Sequence, residues 1–313
     1  MSEDFFAISR RVSNWGRWGR DDQRGTLNLV TPEVIKRAAA VVRQGKLFRL
    51  GLDFAHDGPQ VYPGHSAPDL RFNPKLYMIR VAEPIDPAKG DYAYSDDVIH
   101  MPISASTQWD GLAHIQYDGR MYNGVKIADG ISVHGATHAG IEHAASPGIT
   151  SRAVLLDIAR LKGVERLPAG TMIMPEDLDA ACRAQRCEVE RGDIVMVHTG
   201  HLRRWTHDRD LASFRDRPPG LHMSCALWLH ERNVVAVCAD NTGVEPTPAI
   251  GPIPLPLHML CIRDMGLYLG EFFDLHALAA DCAQDGEYAC LLVAPALPIR
   301  GAVGSPINPL AFK

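Results

Sequence analysis

The sequence has few of the features that bring a protein to a membrane or to nucleic acid. None of its 313 residues belongs to an apolar run approaching the ~20 residues needed to span a bilayer. The N-terminus shows no basic stretch followed by an apolar segment, which is the pattern of a secretory signal. The formal net charge is −5 and the two signs are interspersed, so no basic stripe is present to neutralise phosphates. We therefore expect a cytoplasmic protein that binds neither membranes nor nucleic acid.

Several common enzyme motifs are also missing. There is no G-x-S-x-G elbow, no glycine-rich phosphate loop and no G-x-G-x-x-G fingerprint. Their absence argues against the serine hydrolases, NTPases and dinucleotide enzymes that carry them, and we expect no organic cofactor. The seven cysteines are odd in number and form no C-x-x-C pair, so we expect reduced, mostly buried thiols.

The remaining composition favours a large mixed α/β core. Hydrophobic residues make up 46% of the chain, which is enough to bury a sizeable interior. Thr31, Pro32 and Glu33 predict the start of a helix that runs to Val42, with Thr as N-cap and Pro in the first turn. Alternating residues predict a strand from Leu47 to Phe54. Short branched runs predict three more strands (153–158, 194–198 and 234–239), and two further segments predict helices (175–186 and 223–231).

Strands and helices thus interleave, which predicts one α/β domain over 1–313 with an N-terminal arm and helix over about 1–45. A proline-rich segment runs from Glu245 to His258, and its five prolines predict that it has no regular secondary structure. Its apolar residues suggest a loop packed on the body rather than a linker (Ile250, Ile253, Leu255 and Leu257). No internal repeat or low-complexity tract is present, which also favours a single domain.

One short segment combines a carboxylate and an imidazole. Asp110 and His114 are four positions apart and flank Gly111, in the stretch Ser104-Ala-Ser-Thr-Gln-Trp-Asp-Gly-Leu-Ala-His. The spacing alone is weak evidence, because a capping aspartate and a structural histidine satisfy it equally well.

The same segment resembles the motif H-x-G-T-H-x-D-x-P-x-H of the cyclase family, which includes bacterial kynurenine formamidase and isatin hydrolase. Thr107, Asp110 and His114 match the motif, whereas Ser104 and Gln108 replace its two leading histidines. Other segments resemble the family in the same order along the chain (25–33, 117–124, 148–157, 192–200, 240–246 and 304–309). The resemblance implies a swivelling β/β/α-like fold with a mixed sheet or barrel core and packed helices, and a homodimer or homotetramer.

The resemblance also implies a site for one divalent metal ion, Zn²⁺ or Mn²⁺. In the family, the aspartate of the motif, a histidine after a proline-containing loop and a glutamate further on help to hold metal. Here these positions are Asp110, His258 and Glu271, and the amide oxygen of Gln108 could join them. Because Gln is a weaker donor than imidazole, we expect lower metal affinity than in members with both histidines.

The implied activity is hydrolysis of a small amide, lactam or ester by metal-activated water, with C–N bonds other than peptide bonds favoured. His114 would be the catalytic proton shuttle, because imidazole titrates near neutrality. Residues that could contact the small-molecule substrate are Ser104, Trp109, Tyr117, Tyr122 and His138. Two alternatives stay open: a metal-independent hydrolase, lyase or cyclising enzyme, and a non-catalytic binding protein. The sequence assigns no role to His134, His198 or His201.

Overall fold

The computed structural model describes residues 2–60, 71–146, 148–247 and 252–313. Its main element is a nine-stranded sheet that curls into a half-barrel and is covered by helices. The helices are α1 (Ser2–Val12), α2 (Pro32–Ala39), α3 (Ile127–Gly130), α4 (Glu142–Ala145), α5 (Ile158–Leu161), α6 (Pro175–Gln185), α7 (Arg203–Thr206), α8 (Leu211–Arg215), α9 (Cys225–Glu231), α10 (Pro256–His258) and α11 (His276–Asp285). A π-helical segment, Met259–Met265, continues α10.

The strands are β1 (Leu47–Arg49), β2 (Lys75–Pro84), β3 (Ala93–His100), β4 (Gln108–Asp110), β5 (Ile131–Ser132), β6 (Gly135–Ala136), β7 (Thr150–Asp157), β8 (Met172–Ile173), β9 (Ile194–His198), β10 (Gly220–Leu221), β11 (Ala236–Ala239), β12 (Tyr268–Glu271), β13 (Ala289–Val293), β14 (Gly304–Pro306) and β15 (Leu310–Phe312). The large sheet has the order β1–β15–β13–β7–β9–β11–β12–β4–β14. Strands β7, β9, β11 and β12 are parallel, and the other neighbours in this sheet are antiparallel. The predicted α/β class with a mixed sheet is therefore confirmed.

The central strands are buried on both faces. Ala153 and Leu155 of β7 point into one apolar cluster, which includes residues of α11. Val154 and Leu156 point into a second cluster, which includes residues of α1, α6 and α9. A strand covered on both faces needs apolar side chains at successive positions, which explains the continuous runs in the sequence.

The predicted elements exist, and their ends shift. Helix α2 begins as predicted, with Thr31 Oγ1 accepting a hydrogen bond from the Val34 amide at 3.4 Å, but it ends at Ala39 rather than Val42. Strand β1 ends at Arg49 rather than Phe54: Leu50 N still donates to Pro309 O at 2.9 Å beside β15, but the chain then turns away. Leu52 N donates to the side chain of Thr107, which draws the chain away from β15. The three apolar runs form β7, β9 and β11, and the two other predicted helices form α6 and α9.

The proline-rich segment is partly helical, so the prediction that it has no regular structure was wrong. Pro256 occupies the first turn of α10, where its missing amide hydrogen leaves no intrahelical bond unmade. The packing prediction holds for Ile253, which contacts the second apolar cluster, and for Leu257, which is fully buried. Ile250 lies outside the described residues.

All seven cysteines are unpaired thiols, and five of them are buried. In the described part of the chain, no helix has the length and apolar character of a transmembrane segment. Strands β2 and β3 stand apart from the large sheet as an antiparallel two-stranded hairpin, which we call the β2–β3 hairpin.

Candidate metal centre

Two neighbouring strands bring three polar side chains to one face of the sheet. In the antiparallel pairing of β4 with β12, Gln108 lies opposite Glu271, and Asp110 lies opposite Leu269. Successive side chains of a strand point to opposite faces, so Gln108 and Asp110 share a face, and Glu271 lies beside Gln108. His258 reaches the same point from α10. All four side chains are buried.

Asp110, His258 and Glu271 form a compact group of ligand atoms. One atom from each lies within 4.8 Å of the others. His258 Nε2 is 3.6 Å from Asp110 Oδ2 and 3.6 Å from Glu271 Oε1. A tetrahedral ion with ligands about 2.0–2.2 Å away separates them by about 3.3–3.6 Å. The spacing therefore suits one small divalent ion held by one nitrogen and two carboxylates.

Asp110 Oδ2, which faces His258, is buried and lacks a hydrogen-bond donor among the described residues. Leaving a buried acceptor unsatisfied costs free energy, more so for a charged group, and a cation satisfies it. The residues present therefore fit a divalent ion, and a mixed nitrogen and carboxylate donor set suits Zn²⁺ or Mn²⁺.

Gln108 does not direct its amide oxygen at the ligand group, as its position in the motif suggested. Its Nε2 donates to Asp110 Oδ1 at 3.3 Å and to Glu271 Oε2 at 3.0 Å. It is thus the amide nitrogen, and not the oxygen, that faces the carboxylates. In this arrangement Gln108 bonds to Asp110 Oδ1 and Glu271 Oε2, and the other two carboxylate oxygens, Asp110 Oδ2 and Glu271 Oε1, face His258.

Glu245 orients His258, a role that its position in the sequence does not indicate. Glu245 Oε1 lies 2.6 Å from His258 Nδ1, and the carboxylate also accepts the backbone amides of Leu257 and His258 at 3.0 Å each. A carboxylate only accepts, so Nδ1 carries a proton and Nε2 is directed at the two acids. The only signal in the sequence was an acidic residue at the start of the proline-rich segment.

The charges of the group shift the acidity of its members. Burial favours the neutral ring of His258, but the surrounding carboxylates of Asp110, Glu245 and Glu271 outweigh it and raise the pKa of His258 well above its usual value. Burial also opposes ionisation of Asp110, but the nearby His114 and His258 lower the pKa of Asp110 to about 2. The carboxylate of Asp110 is therefore ionised across the physiological range.

His114 and Arg71 lie at the edge of the group. His114 Nε2 is 3.9 Å from Asp110 Oδ1, and the imidazole keeps 22% of its surface exposed. This exposure lets the imidazole exchange protons with solvent, whereas a fully buried ligand could not. Arg71 Nη1 is 3.9 Å from Glu271 Oε2, a neighbour that the sequence did not predict.

Trp109 lies on the other face of β4, away from Gln108 and Asp110. It is fully buried, its indole N–H donates to Ala294 O at 2.8 Å, and its ring packs against Phe273. The structure therefore places Trp109 in the core, which does not agree with the expected substrate contact. Ser104 precedes the strand, and its carbonyl accepts a hydrogen bond from the Gln60 side chain at 3.0 Å.

Tyr117, Tyr122 and His138 are engaged with other parts of the fold. The Tyr117 hydroxyl donates to Asp264 at 2.6 Å, and burial raises the pKa of Tyr117 to about 12. The Tyr122 hydroxyl donates to Asp22 at 2.8 Å, and its ring is fully buried. Burial lowers the pKa of His138, whose Nε2 is buried without a partner in the described residues. None of the three belongs to the compact group of ligand atoms.

A second polar cluster lies at the carboxyl ends of β7, β9 and β11. His198 Nδ1 is 2.8 Å from Asp157, and His198 Nε2 is 3.8 Å from Asp240. The strand register and the alternation of side chains place this cluster on the face of the large sheet that α11 covers, whereas Glu271 lies on the opposite face. His201 is buried and bonded to Phe214 O at 2.6 Å, whereas His134 is exposed.

Comparison with known protein families decides the relationship of the chain. The model of the family named Cyclase matches residues 29–246, which is more than two thirds of the sequence. This chain belongs to the Cyclase family. The assignment confirms the resemblance to the cyclase family.

Several solved structures share the fold. The crystal structure of a novel cyclase is 38% identical, with a TM-score of 0.85, and the match covers 96% of this chain and 100% of that one. Isatin hydrolase A from Ralstonia solanacearum is 18% identical with a TM-score of 0.63, over 90% of this chain and 98% of that one. A protein from Bacillus stearothermophilus described as a predicted metal-dependent hydrolase is 15% identical with a TM-score of 0.50, over 86% of this chain and 98% of that one. No curated protein sequence matches the chain.

Proposed function

We propose that this cyclase-family protein is a metal-dependent hydrolase of a small amide, lactam or ester, with C–N bonds other than peptide bonds favoured. The observation that carries the proposal is the buried group of Asp110, His258 and Glu271, whose ligand atoms converge to within 4.8 Å. Structural neighbours described as hydrolases support the same class of activity.

A Zn²⁺ or Mn²⁺ ion bound there would lower the pKa of a water molecule and polarise the carbonyl of the substrate. Hydrogen bonds within the protein orient the side chains that would bind this ion. Glu245 orients the His258 ring through its bond with Nδ1. Gln108 orients the two carboxylates through its bonds to Asp110 Oδ1 and Glu271 Oε2. Rigid orientation of the ligands by such outer contacts preserves both metal affinity and activity.

His114 is positioned to move protons. It lies next to Asp110 without belonging to the ligand group, and its ring is in contact with solvent. A histidine in this place accepts a proton from the attacking water and returns it to the leaving nitrogen or oxygen of the substrate. Burial of Asp110 and Glu271 keeps bulk water away from the opposite side of the site.

A metal-independent enzyme on the same fold is the second candidate, and the contacts of Gln108 favour it. The side-chain amide donates to both carboxylates, so it satisfies part of their hydrogen-bonding need without a cation. In that case His114 and Ser104 would bind or activate the substrate by hydrogen bonds. A binding protein without activity is the third candidate, and it predicts no turnover under any metal condition.

Elemental analysis of gently purified protein, beside turnover on a panel of formyl-anilines, lactams and aryl esters, separates the three. We expect about one Zn²⁺ or Mn²⁺ per chain and metal-dependent turnover. Asp110→Asn and His258→Ala should lose both, whereas Asp53→Ala, which removes an exposed carboxylate paired with Arg49, should lose neither. Full turnover after chelation would favour the metal-independent enzyme. Stoichiometric metal in both site variants would show that the ligand assignment is wrong.

A further inference from the structure

A cavity of about 430 Å³ lies at the carboxyl ends of β7 and β9, beside α11. Its walls come from the end of β7 with α5, the loop after α5, the end of β9, the start of α7 and one face of α11. None of the residues that line it belongs to the ligand group of the candidate metal centre. The volume is that of a small-molecule pocket, and the carboxyl ends of parallel strands are where α/β sheets bind ligands.

Helix α11 presents small side chains to this cavity. His276, Ala279, Ala280 and Ala283 line it, and positions i, i+3, i+4 and i+7 lie on one face of a helix. Because three of the four are alanines, the helix leaves space that larger side chains would fill. Val164, in the loop after α5, adds further apolar surface. These walls suit a compact apolar group.

Two arginines line the same cavity without an ion pair. Arg160 lies in α5, and Arg203 is the first residue of α7. Neither side chain has an ion pair or a side-chain hydrogen bond with another described residue. Two acids also line the cavity: Asp157 bonds to the Arg160 amide and to His198, and Glu165 is exposed. Since guanidinium groups bind carboxylates with two parallel hydrogen bonds, the unpaired arginines favour an anionic ligand.

His198 adds a buried polar atom that has no partner. The residue lines the cavity and is only 6% exposed. Its Nδ1 donates to Asp157 at 2.8 Å, whereas its Nε2 bonds to no described residue. The nearest carboxylate oxygen, Asp240 Oδ2, is 3.8 Å from Nε2, which is too far for a hydrogen bond.

The protonation of His198 makes this nitrogen a donor. Burial opposes protonation of the ring, but the hydrogen bond to Asp157 and the charge of Asp240 outweigh it and raise the pKa of His198. In the protonated ring both nitrogens carry hydrogen, so Nε2 is a buried donor that lacks an acceptor. A buried donor without an acceptor costs free energy, and an oxygen atom of a ligand would satisfy it.

We propose that this cavity is a second binding site, separate from the metal centre, for a small organic carboxylate. Arg160 and Arg203 bind the carboxylate group, and His198 Nε2 donates to one of its oxygens. The alanine face of α11 packs against the apolar part of the ligand. The site lies on the face of the large sheet opposite Glu271, so a ligand there occupies no position of the metal centre.

Isothermal titration with benzoate tests the recognition of charge. We expect saturable binding of benzoate to the wild type, and binding of benzamide, which has the same shape without the charge, at least 10-fold weaker. Arg203→Gln should weaken benzoate binding by about 10–100-fold, because it removes hydrogen bonds to a charged group. The control is Arg183→Gln, since Arg183 is an exposed arginine of α6 that does not line the cavity. This control should bind benzoate as the wild type does.

Filling the cavity tests its location without changing any charge. Ala280 and Ala277 are both exposed alanines of α11, but only Ala280 lines the cavity. Ala280→Phe should therefore weaken benzoate binding at least 10-fold, whereas Ala277→Phe should leave it unchanged. Thermal unfolding of all variants checks that they are folded.

Asp110→Asn separates this site from the metal centre, where a carboxylate would bind to the ion. This variant should still bind one benzoate per chain. The proposal is overturned if the wild type shows no saturable binding, if Arg203→Gln binds like Arg183→Gln, if Ala280→Phe binds like Ala277→Phe, or if only Asp110→Asn loses benzoate. Turnover is not measured in these titrations, so their outcome is independent of the proposed hydrolase activity.

Discussion

Replacing Glu245 by Gln tests whether the orientation of His258 sets the metal affinity. The substitution keeps the shape of the side chain but removes its charge and turns one acceptor oxygen into a donor NH₂ group. Three N–H groups converge on this carboxylate: the amides of Leu257 and His258 at 3.0 Å, and Nδ1 of His258 at 2.6 Å. A single amide oxygen cannot serve all three in the same geometry, so at least one donor loses its partner.

The expected size of the effect follows from those contacts. Loss of the outer partner of a metal-binding histidine typically weakens metal binding by about 10–100-fold, which corresponds to about 1.4–2.7 kcal/mol. We therefore expect Glu245→Gln to bind Zn²⁺ or Mn²⁺ about 10–100 times more weakly than the wild type. Competition with a chromogenic chelator measures the dissociation constant, and thermal unfolding checks that the variant is folded.

Glu142→Gln is the matched control. Glu142 also accepts a backbone amide, that of Gly301 at 3.0 Å, but it is not part of the ligand group. The control should bind metal as the wild type does. If Glu245→Gln is folded and its metal affinity is unchanged, then Glu245 does not act through His258, and the assignment of His258 as a ligand loses its support.

Three further predictions concern single positions. His114→Ala should keep its metal while kcat falls by about 10²–10⁴, and joint loss of metal and turnover would instead make His114 a ligand. Burial opposes protonation of His198, but the hydrogen bond to Asp157 and the charge of Asp240 raise the pKa of His198. Asp157→Asn removes part of this stabilisation of the protonated ring, so it should lower the free energy of unfolding by about 1–3 kcal/mol at mildly acidic pH. That difference should shrink as the pH rises through the raised pKa of folded His198, and denaturant titrations at several pH values would show an opposite trend if the reasoning is wrong. Gly266→Ala should destabilise the protein by about 1–3 kcal/mol more than Gly45→Ala in the same assay. Both glycines have positive φ, but only at Gly266 does an added Cβ meet other atoms at 2.4 Å. Equal losses of stability would exclude the clash as the cause.

Much of the sheet was predictable because its central strands are covered on both faces. Burial on both sides forces apolar residues at successive positions, and this produced the runs that became β7, β9 and β11. The ends of elements were less predictable, since tertiary hydrogen bonds set them. Strand β1 stops where Leu52 bonds to Thr107, a residue 55 positions away in the sequence.

The hairpin was not predicted at all, and the reason lies in its pattern. Strand β2 has apolar residues at four successive positions from Leu76 to Ile79, so it lacks the alternation that marks a half-buried strand. It also lacks the burial that normally accompanies such a run. Only the exposure of its side chains in the folded chain shows that the apolar surface faces outward.

The candidate metal ligands could be named from the sequence only through the family resemblance. Asp110, His258 and Glu271 come from three separate elements, and no spacing along the chain connects them. The parts played by Gln108 and Glu245 could not be predicted, because they depend on which atom of each side chain faces the group. The three-dimensional contacts alone show that Gln108 turns its nitrogen to the acids and that Glu245 holds His258.

The placement of β4 beside β12 has a consequence for how the protein matures. Gln108 and Glu271 are 163 positions apart in the chain, yet they meet at 3.0 Å. Contacts between residues so distant in sequence form late, because the entropy of closing the intervening loop is lost before they are gained. A nascent chain or a truncated fragment that ends before β12 therefore lacks the complete ligand group. If the proposed ion binds, its uptake has to follow the pairing of β4 with β12, and metal content would report the fraction of molecules with the complete ligand group.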